Sequence, residues 1–560
     1  MEIGELIEKA KVLIQNKKFN EAEEILIKLN DKYAVFELAK IKLIQGNDNE
    51  AEKLYKQVLS LDENIYEAAL ELARIYARQK RTDLAMECYD RYTAKINNNT
   101  DVYKEIGRIQ ESLGNNIEAI RQIEKAKDLS PNDIATNFEL GIAYREAGED
   151  KQSAEVFKNM LEKDEIKNDK FLKNKTLNEY EISMRKEIFE SKPRAMIAMI
   201  MNKCNISCRI CGIWSRPNWQ EPDRILKEIV DLLPYMEDIC WQGGEVFYMK
   251  EFNSMLAEGV KCPNLNQVIF TNGLLLDETN LDIIAKGNVE LVLSIDGARK
   301  ETYEYIRRGA SFETLCKKLE SIKEVRKSTG AKINTYYNPV ICKTNYKEIL
   351  DMVEFAHKYE FTSITLNPIR GIPELNIFEP IDEKAFEFMR KIIPIAEAKS
   401  KEYGIRFNNW MPIDCGCSEI KFEHSSLDIS ENQKQMEKIK MQKKEKQGFV
   451  GTFNRESLKK EENKNEQTVS KQNDIKENRM ICYAPWQRLL LDNDGQVRPY
   501  AICTKWIGHT KEYSLAQMWN NEAMQMYRRK IANNNFKDLC QPECISGQIR
   551  NKLCRPVEDK

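Results

Sequence analysis

Three cysteines crowd into the segment M-N-K-C-N-I-S-C-R-I-C-G, where Cys204, Cys208 and Cys211 stand at C-x3-C-x2-C. A loop of this length can curl so that three sulfurs face one point. Three thiolates satisfy three irons of a [4Fe–4S] cubane and leave the fourth iron without a protein ligand. An open coordination position is what a catalytic metal centre requires. The rival reading, a zinc site, needs a fourth Cys or His nearby, and the next cysteine in the chain is the distant Cys240. The whole chain has 15 cysteines but only three histidines (His357, His424 and His509), so thiolate ligation is favoured over imidazole.

Further polar motifs recur at intervals downstream. Gly243-Gly244-Glu245 combines two residues that admit close backbone approach with a carboxylate able to bind an ammonium group. Thr271-Asn272-Gly273 follows, then Ser294 and Asp296 in S-I-D-G, then Arg307 and Arg308 in E-T-Y-E-Y-I-R-R-G. Asp296 reads as a turn former. Near the C-terminus Cys482 opens C-Y-A-P-W-Q-R-L-L-L-D-N-D-G-Q-V-R-P-Y-A-I-C, which ends at Cys503; a W-N segment, Cys540-x3-Cys544 and Cys554 come after it.

The first set of motifs resembles the radical S-adenosylmethionine (SAM) superfamily. The resemblance implies that SAM chelates the open iron, and that an electron from the reduced cluster then releases a 5′-deoxyadenosyl radical. It assigns Gly243, Gly244 and Glu245 to the SAM amino group, Asn272 to support of the ligand-bearing loops, Ser294 to polar SAM contacts, and Arg307 (with Arg308 as the alternative) to the SAM carboxylate. Ile210 departs from the family, which usually has an aromatic residue there. The C-terminal motifs look like the SPASM/Twitch extension of the same family. Cys482, Cys503, Cys540 and Cys544 would then hold one auxiliary [4Fe–4S] cluster, with Cys554 and Cys415-Gly416-Cys417 as further candidates. A zinc knot built from the same four cysteines is the alternative. Cys88, Cys240, Cys262, Cys316 and Cys342 sit singly and read as small buried apolar residues.

The elements that must position these groups follow from periodicity. Short apolar runs at 195–201, 238–242, 268–271, 291–295, 332–340 and 363–367 alternate with amphipathic segments, as strands of a parallel sheet joined by helices do. Six such units predict an open (β/α)6 partial barrel over 194–410, with its site at the strand C-terminal ends. Upstream, Ala51, Ala85, Ala119 and Ser153 recur at intervals of 34, each followed four residues later by Tyr55, Tyr89, Ile123 or Phe157. Small residues (Ala39, Ala73, Gly107, Gly141) precede each by twelve. This resembles the tetratricopeptide repeat, and five repeats are expected over 1–165. The predicted fold class is therefore an all-α repeat solenoid, a partial barrel and a small cysteine-rich domain. Residues 166–193 read as a charged helical linker, 411–480 as a charged low-complexity insertion, and 481–560 as a separate compact unit.

Lys and Arg total 87 against 89 Asp and Glu, a net charge of −2, which offers no global case for nucleic acid or an anionic membrane. No apolar run is long enough to span a bilayer, and the opening residues lack a signal-peptide layout, so the expected compartment is the cytoplasm. The expected activity is radical modification of a peptide or protein, recruited through the repeats and fed by a reducing donor such as flavodoxin or ferredoxin. Two alternatives stand beside it: radical chemistry on a sugar, alcohol or cofactor precursor, and a non-enzymatic repeat scaffold with a zinc-stabilised C-terminal half.

Overall fold

A computed structural model describes residues 3–213, 216–413, 482–536 and 538–541. The chain divides into two compact units, Met1–Met160 and Leu161–Lys560.

The first unit is five helix pairs: α1 (Ile3–Gln15) with α2 (Phe19–Leu26), α3 (Lys32–Ile44) with α4 (Asp48–Leu61), α5 (Tyr66–Arg78) with α6 (Thr82–Thr93), α7 (Thr100–Ser112) with α8 (Asn116–Leu129), and α9 (Ile134–Glu146) with α10 (Asp150–Leu161). Side-chain caps start several of them. Asp31, for instance, accepts from Tyr33 N at 2.8 Å and Ala34 N at 3.2 Å, satisfying donors that the helix leaves open. Between the helices of four pairs the chain passes through a left-handed residue at a constant spacing of 34: Gly46, Lys80, Gly114 and Gly148, with φ of 77°, 59°, 79° and 81°. In the first pair Lys17 takes that place at φ 59°, separated from Gly46 by a shorter interval than the others. The recurring large residues are buried against the recurring small ones. A Cβ on Gly107 would stand 2.6 Å from Ile123 Cγ1, and one on Gly141 would stand 2.5 Å from the Phe157 ring. Small and large residues are thus matched pair by pair.

The second unit is built on one sheet. β1 (Ala195–Met199), β2 (Asp238–Gln242), β3 (Asn266–Thr271), β4 (Val289–Leu293) and β5 (Asn334–Tyr337) pair in sequence order and in parallel. β6 (Val340–Ile341) and β8 (Arg406–Asn409) both pair with β7 (Ser363–Pro368), which lies beside β5. Alternate residues face the helices: Trp241 packs edge-on to Phe252 at 5.5 Å and Tyr337 lies 5.8 Å from Phe355. The six expected strands are all present, each within a few residues of its apolar run.

Two expectations need correction. The C-terminal residues do not form a separate unit among those described. β9 (Arg488–Leu491) pairs in parallel with β1, and β10 (Gln496–Arg498) and β11 (Gly508–His509) extend the same sheet. Trp486, Leu489, Trp519 and Tyr527 belong to the same hydrophobic core as Trp241 and Leu291. Nor is the charged helical stretch expected as a linker at 166–193 separate from the second unit. Its helix Lys170–Ser183 buries Glu179 and Glu181 completely. Arg194 answers Glu179 and also donates to Glu237 at 2.9 Å. Glu181 accepts from Glu190 N, Ser191 N and Ser191 Oγ. These acidic residues are held inside by partners, as buried ions must be. Among the described residues no helix is long and apolar enough to cross a membrane.

Candidate active site

The cysteine loop leaves the C-terminal end of β1 and is fastened from two sides. On one side the glycine pair closing β2 comes against its backbone: Gly244 N donates to Met201 O at 2.8 Å and Glu245 N to Lys203 O at 2.9 Å. A Cβ on either glycine would overlap those carbonyl groups. The glycines make room for the loop that carries Cys204. On the other side, Ser207 N and Arg209 N donate to the carbonyls of Arg308 and Ile306 at 2.9 and 2.8 Å. The Arg209 guanidinium bonds Tyr305 O at 3.0 Å and stacks over the Tyr305 ring at 4.5 Å.

Each of the three sulfurs has an N–H donor beside it. Asn272 Nδ2 lies 3.9 Å from Cys204 Sγ, Arg307 Nη1 lies 3.8 Å from Cys208 Sγ, and Ile213 N lies 3.5 Å from Cys211 Sγ. Burial pushes the Cys208 thiol up to about 11 and the Cys204 thiol upward, while the Arg307 charge draws both down. Buried sulfurs with donors aimed at them fit a group that needs thiolates and supplies the missing positive charge. Among the described residues no three His, Cys, Asp or Glu side chains surround one single-ion position.

The remaining expected residues join the same network. Glu245 is completely buried; it accepts from Thr271 Oγ1 at 2.7 Å, Asn272 N at 2.8 Å and Phe247 N at 3.3 Å. Burial raises its carboxyl, and these donors oppose the rise. Asn272 Nδ2 also donates to Asn205 Oδ1 at 2.8 Å, and Ser294 N to Thr271 O at 2.9 Å. Gly243, Gly244, Glu245 and Asn272 are therefore gathered around the loop that carries Cys204, and Ser294 joins through the backbone of Thr271. Arg307 is 8% exposed, with Nε 2.7 Å from Asp296 Oδ2, so its nearest charges are Asp296 and the Cys208 sulfur. Arg308 is exposed and donates to Ser207 Oγ at 3.1 Å. Asp296 does more than make a turn: fully buried, it anchors Arg307 and accepts from Val340 N at 2.8 Å. Ile210 is half-buried against the main core.

Glu221 was missed by the sequence reading. It is 1% exposed, on the stretch that runs beside Ile200–Asn202. Its Oε1 accepts from Trp219 Nε1 at 3.3 Å, and Thr510 also acts on its carboxyl. Burial pushes its carboxyl up to about 7, against the pull of Thr510 and Trp219. Only its burial distinguishes it from the chain's many other acids.

In the C-terminal region Cys503 and Cys540 are brought onto facing antiparallel segments, with Thr504 N donating to Leu539 O at 3.0 Å. Cys482 leads into the helix Ala484–Gln487 and packs against the same core as Cys540. Cys415, Cys417, Cys544 and Cys554 lie outside the described residues. Of the single cysteines only Cys342 is fully buried; Cys88, Cys240, Cys262 and Cys316 are half-buried. His357 stacks on Tyr403 at 3.8 Å and His509 meets Trp219 edge-on, both packing roles, while His424 is outside the described residues.

Comparison with known proteins matches residues 199–376 to the radical SAM superfamily, 482–545 to the SPASM iron–sulfur cluster-binding domain, and 42–106 and 100–133 to tetratricopeptide repeats. A curated relative, GTP 3′,8-cyclase of Peptoclostridium acidaminophilum, is 31% identical over 185 residues, covering 30% of this chain and 54% of its own. The chain thus spans about half the length of that relative. Among solved structures, Streptococcus suis SuiB bound to S-adenosylmethionine aligns at 15% identity over 80% of this chain and 87% of its own, with a TM-score of 0.43. MamA from Desulfovibrio magneticus aligns at 20% identity over 29% of this chain and 95% of its own, with a TM-score of 0.27. The radical SAM match opens at the end of β1 and takes in the cysteine loop and the glycine pair packed on it, in a family that binds iron–sulfur clusters and S-adenosylmethionine; the chain carries a region similar to the radical SAM superfamily, with tetratricopeptide repeats before it and a SPASM region after it.

Proposed function

We propose that this enzyme abstracts a hydrogen atom from a peptide or protein, in a maturase-type modification, and that its repeat unit recruits the substrate. Cys204, Cys208 and Cys211 would hold the catalytic [4Fe–4S] cluster; Gly243, Gly244, Glu245, Asn272, Ser294 and Arg307 would hold and orient S-adenosylmethionine. Cys482, Cys503, Cys540 and Cys544 would hold one auxiliary cluster. With both groups bound, the site supplies a 5′-deoxyadenosyl radical. The protein's own part is to seat three thiolates beside three N–H donors, to brace Arg307 against Asp296, and to keep Glu245 inside the loop network.

The observation that carries the choice of substrate is the face of the sheet turned away from the helices. On β1 to β5 its positions are Ala195, Ile197, Met199, Asp238, Cys240, Gln242, Asn266, Val268, Phe270, Glu290, Val292, Asn334 and Tyr336. They include two acids and no Lys or Arg. On these five strands a triphosphate would find no counter-charge, the cation that acts on Tyr336 being Arg406 of β8, whereas a neutral peptide segment meets amide, apolar and phenol groups suited to it. The repeats add a second support. Glu37, Glu71, Glu105 and Glu139 recur at the repeat spacing on the first helix of successive pairs, as do Lys40, Arg74 and Arg108. They join in ion pairs, Arg74 with Glu71 and Glu105, and Arg108 with Glu139. An evenly spaced polar ladder suits an extended chain. The second reading, small-molecule chemistry, draws on the relative that is a GTP 3′,8-cyclase.

One experiment separates them. Reduced enzyme given S-adenosylmethionine and a deuterated peptide pool should release 5′-deoxyadenosine carrying deuterium, and deuterated GTP should give none. Deuterium from GTP alone would replace the peptide reading with the second one.

A further inference from the structure

The cysteine loop and the residues joined to it draw on the C-terminal ends of β1 to β4, as far as Ser294. The ends of β5, β7 and β8 continue the same sheet and carry Asn338, Asn367 and Asn408, one carboxamide to a strand. All three lie on the face turned away from the helices. Tyr337 and Leu366 are fully buried on the helix side, so Asn338 and Asn367, each the next residue, take the opposite face. Asn408 is the register partner of Thr365, which alternates with Leu366 in the same way. Side-chain bonds tie the three into one group. Asn367 Nδ2 donates to Asn338 Oδ1 at 2.8 Å and to Thr365 O at 3.0 Å, and Asn408 Nδ2 donates to Thr365 Oγ1 at 3.1 Å. The carbonyls of Pro339 and Thr365 around Asn367 Nδ2 fix which way that carboxamide lies. Among the described residues this leaves Asn338 Nδ2 as a donor, and Asn367 Oδ1 and Asn408 Oδ1 as acceptors, without a protein partner. Each residue is half-buried, and none of these three atoms is sealed from solvent.

We infer that Asn338, Asn367 and Asn408 form a subsite that holds the main chain of an extended substrate segment. Asn338 donates to a peptide carbonyl, while Asn367 and Asn408 accept from peptide N–H groups. The inference rests on the reading that the substrate is a peptide or protein. Every peptide unit offers one donor and one acceptor, so a fixed set of both kinds matches a backbone whatever its side chains. Neighbouring strands lie about 4.8 Å apart, so the reach from β5 to β8 equals about three residues of extended chain. The place also suits a substrate. Leu293 and Tyr337 are register partners and Asn338 N donates to Leu293 O at 3.1 Å, so the held segment lies one strand away from Ser294. Arg406 stands two residues further back on β8, opposite Ser363, so the subsite itself is uncharged.

The test uses the anaerobic full-length holoenzyme with S-adenosylmethionine and a pool of deuterated neutral decapeptides made without Asn or Gln. The readout is the fraction of released 5′-deoxyadenosine that carries deuterium, followed against peptide concentration. Being a ratio, it does not depend on how much of a variant is folded or loaded with iron. Asn338→Ala, Asn367→Ala and Asn408→Ala should each raise the half-saturating peptide concentration by about three- to tenfold. Main-chain N-methylation of the pool should raise it in the unaltered enzyme as well. The same methylation should add little in an Asn367→Ala, Asn408→Ala double variant, because the acceptors for those N–H groups are already gone. Unchanged half-saturation in all three single variants, or an undiminished effect of N-methylation in the double variant, would overturn the proposal. Deuterium transfer confined to a second pool that contains Asn and Gln would overturn it in favour of a bound side-chain amide. Deuterium from neither pool would instead overturn the peptide reading on which it stands.

Discussion

The repeat unit and the sheet unit solve the same packing problem in opposite ways. In the repeats a contact between a large and a small residue is one copy of a rule. Tyr89 and Ala73 are buried in one cluster, and the rule is restated in the next repeat with Ile123 and Gly107, then with Phe157 and Gly141. In the sheet unit the decisive contacts occur once and join distant residues: Asn178 Nδ2 donates to Trp486 O at 2.7 Å, and Trp519 Nε1 to Ser191 O at 2.8 Å. Arg528 lies between Phe189 and Trp519, at 4.4 and 4.6 Å from their rings. A repeated contact can lose one copy and keep its neighbours, whereas a single contact has no substitute.

That contrast can be broken at several points. Arg194→Met should cost most, about 3–5 kcal/mol, because it removes the buried guanidinium that answers Glu179 and leaves Glu237 with Lys175 at 3.5 Å. Urea unfolding of the sheet unit measures it, and a loss below about 1 kcal/mol would show that these acids are not the charged partners assumed. Gly244→Ala comes next, at about 3 kcal/mol, since its methyl would collide with Lys203 O and push the cysteine loop off β2. Iron stoichiometry should fall with stability; full iron loading in this variant would mean the loop relaxes without consequence.

Glu221 gives a pH signature. Its carboxyl sits at about 7 in the folded protein against an ordinary 4.5, so the unfolded chain releases its proton first as pH rises. Stability from this group is greatest below pH 4.5, declines by about 1.4 kcal/mol per unit up to pH 7, and is level above. Glu221→Gln should remove that decline from a plot of unfolding free energy against pH; an identical slope in the variant would assign the decline elsewhere.

The repeat unit should respond more gently and in a correctable way. Gly141→Ala should cost about 1–3 kcal/mol, and Phe157→Leu in the same chain should recover part of it by vacating the space. Thermal unfolding of the two variants and their combination decides this; simple additivity would deny the size match. Lys80→Gly is the smallest effect and the only gain, about 0.5–1 kcal/mol, because an L-residue at φ 59° is strained where Gly46, Gly114 and Gly148 stand in the neighbouring pairs. A lower melting temperature in that variant would contradict it.

How much could be read in advance follows the same division. The cysteine triad lies within one short segment, so its geometry is a property of one loop and its spacing announces it. The C-terminal cysteines are spread from 482 to 540, and only the pairing of the Cys503 and Cys540 segments brings two of them together. Asp296 looked like a turn residue because its partner Arg307 is eleven positions away and reaches it across a helix. Glu179, Glu181 and Glu221 were not singled out because nothing local to them signals burial. The charge ladder of the repeats was written in the same period as the small residues and needed only to be looked for among polar side chains as well.

The amino-acid order alone determined the repeat period, the alternation of strands with helices, and the loop that gathers three thiols, because each depends on neighbours a few residues apart. Tertiary structure alone decided that the C-terminal strands join β1, that a charged helix is buried within the sheet unit, and that glycines at 243 and 244 serve the cysteine loop. Those outcomes depend on surfaces meeting across long stretches of chain, where the free energy of burying an acid or closing a backbone gap is set by what lies opposite.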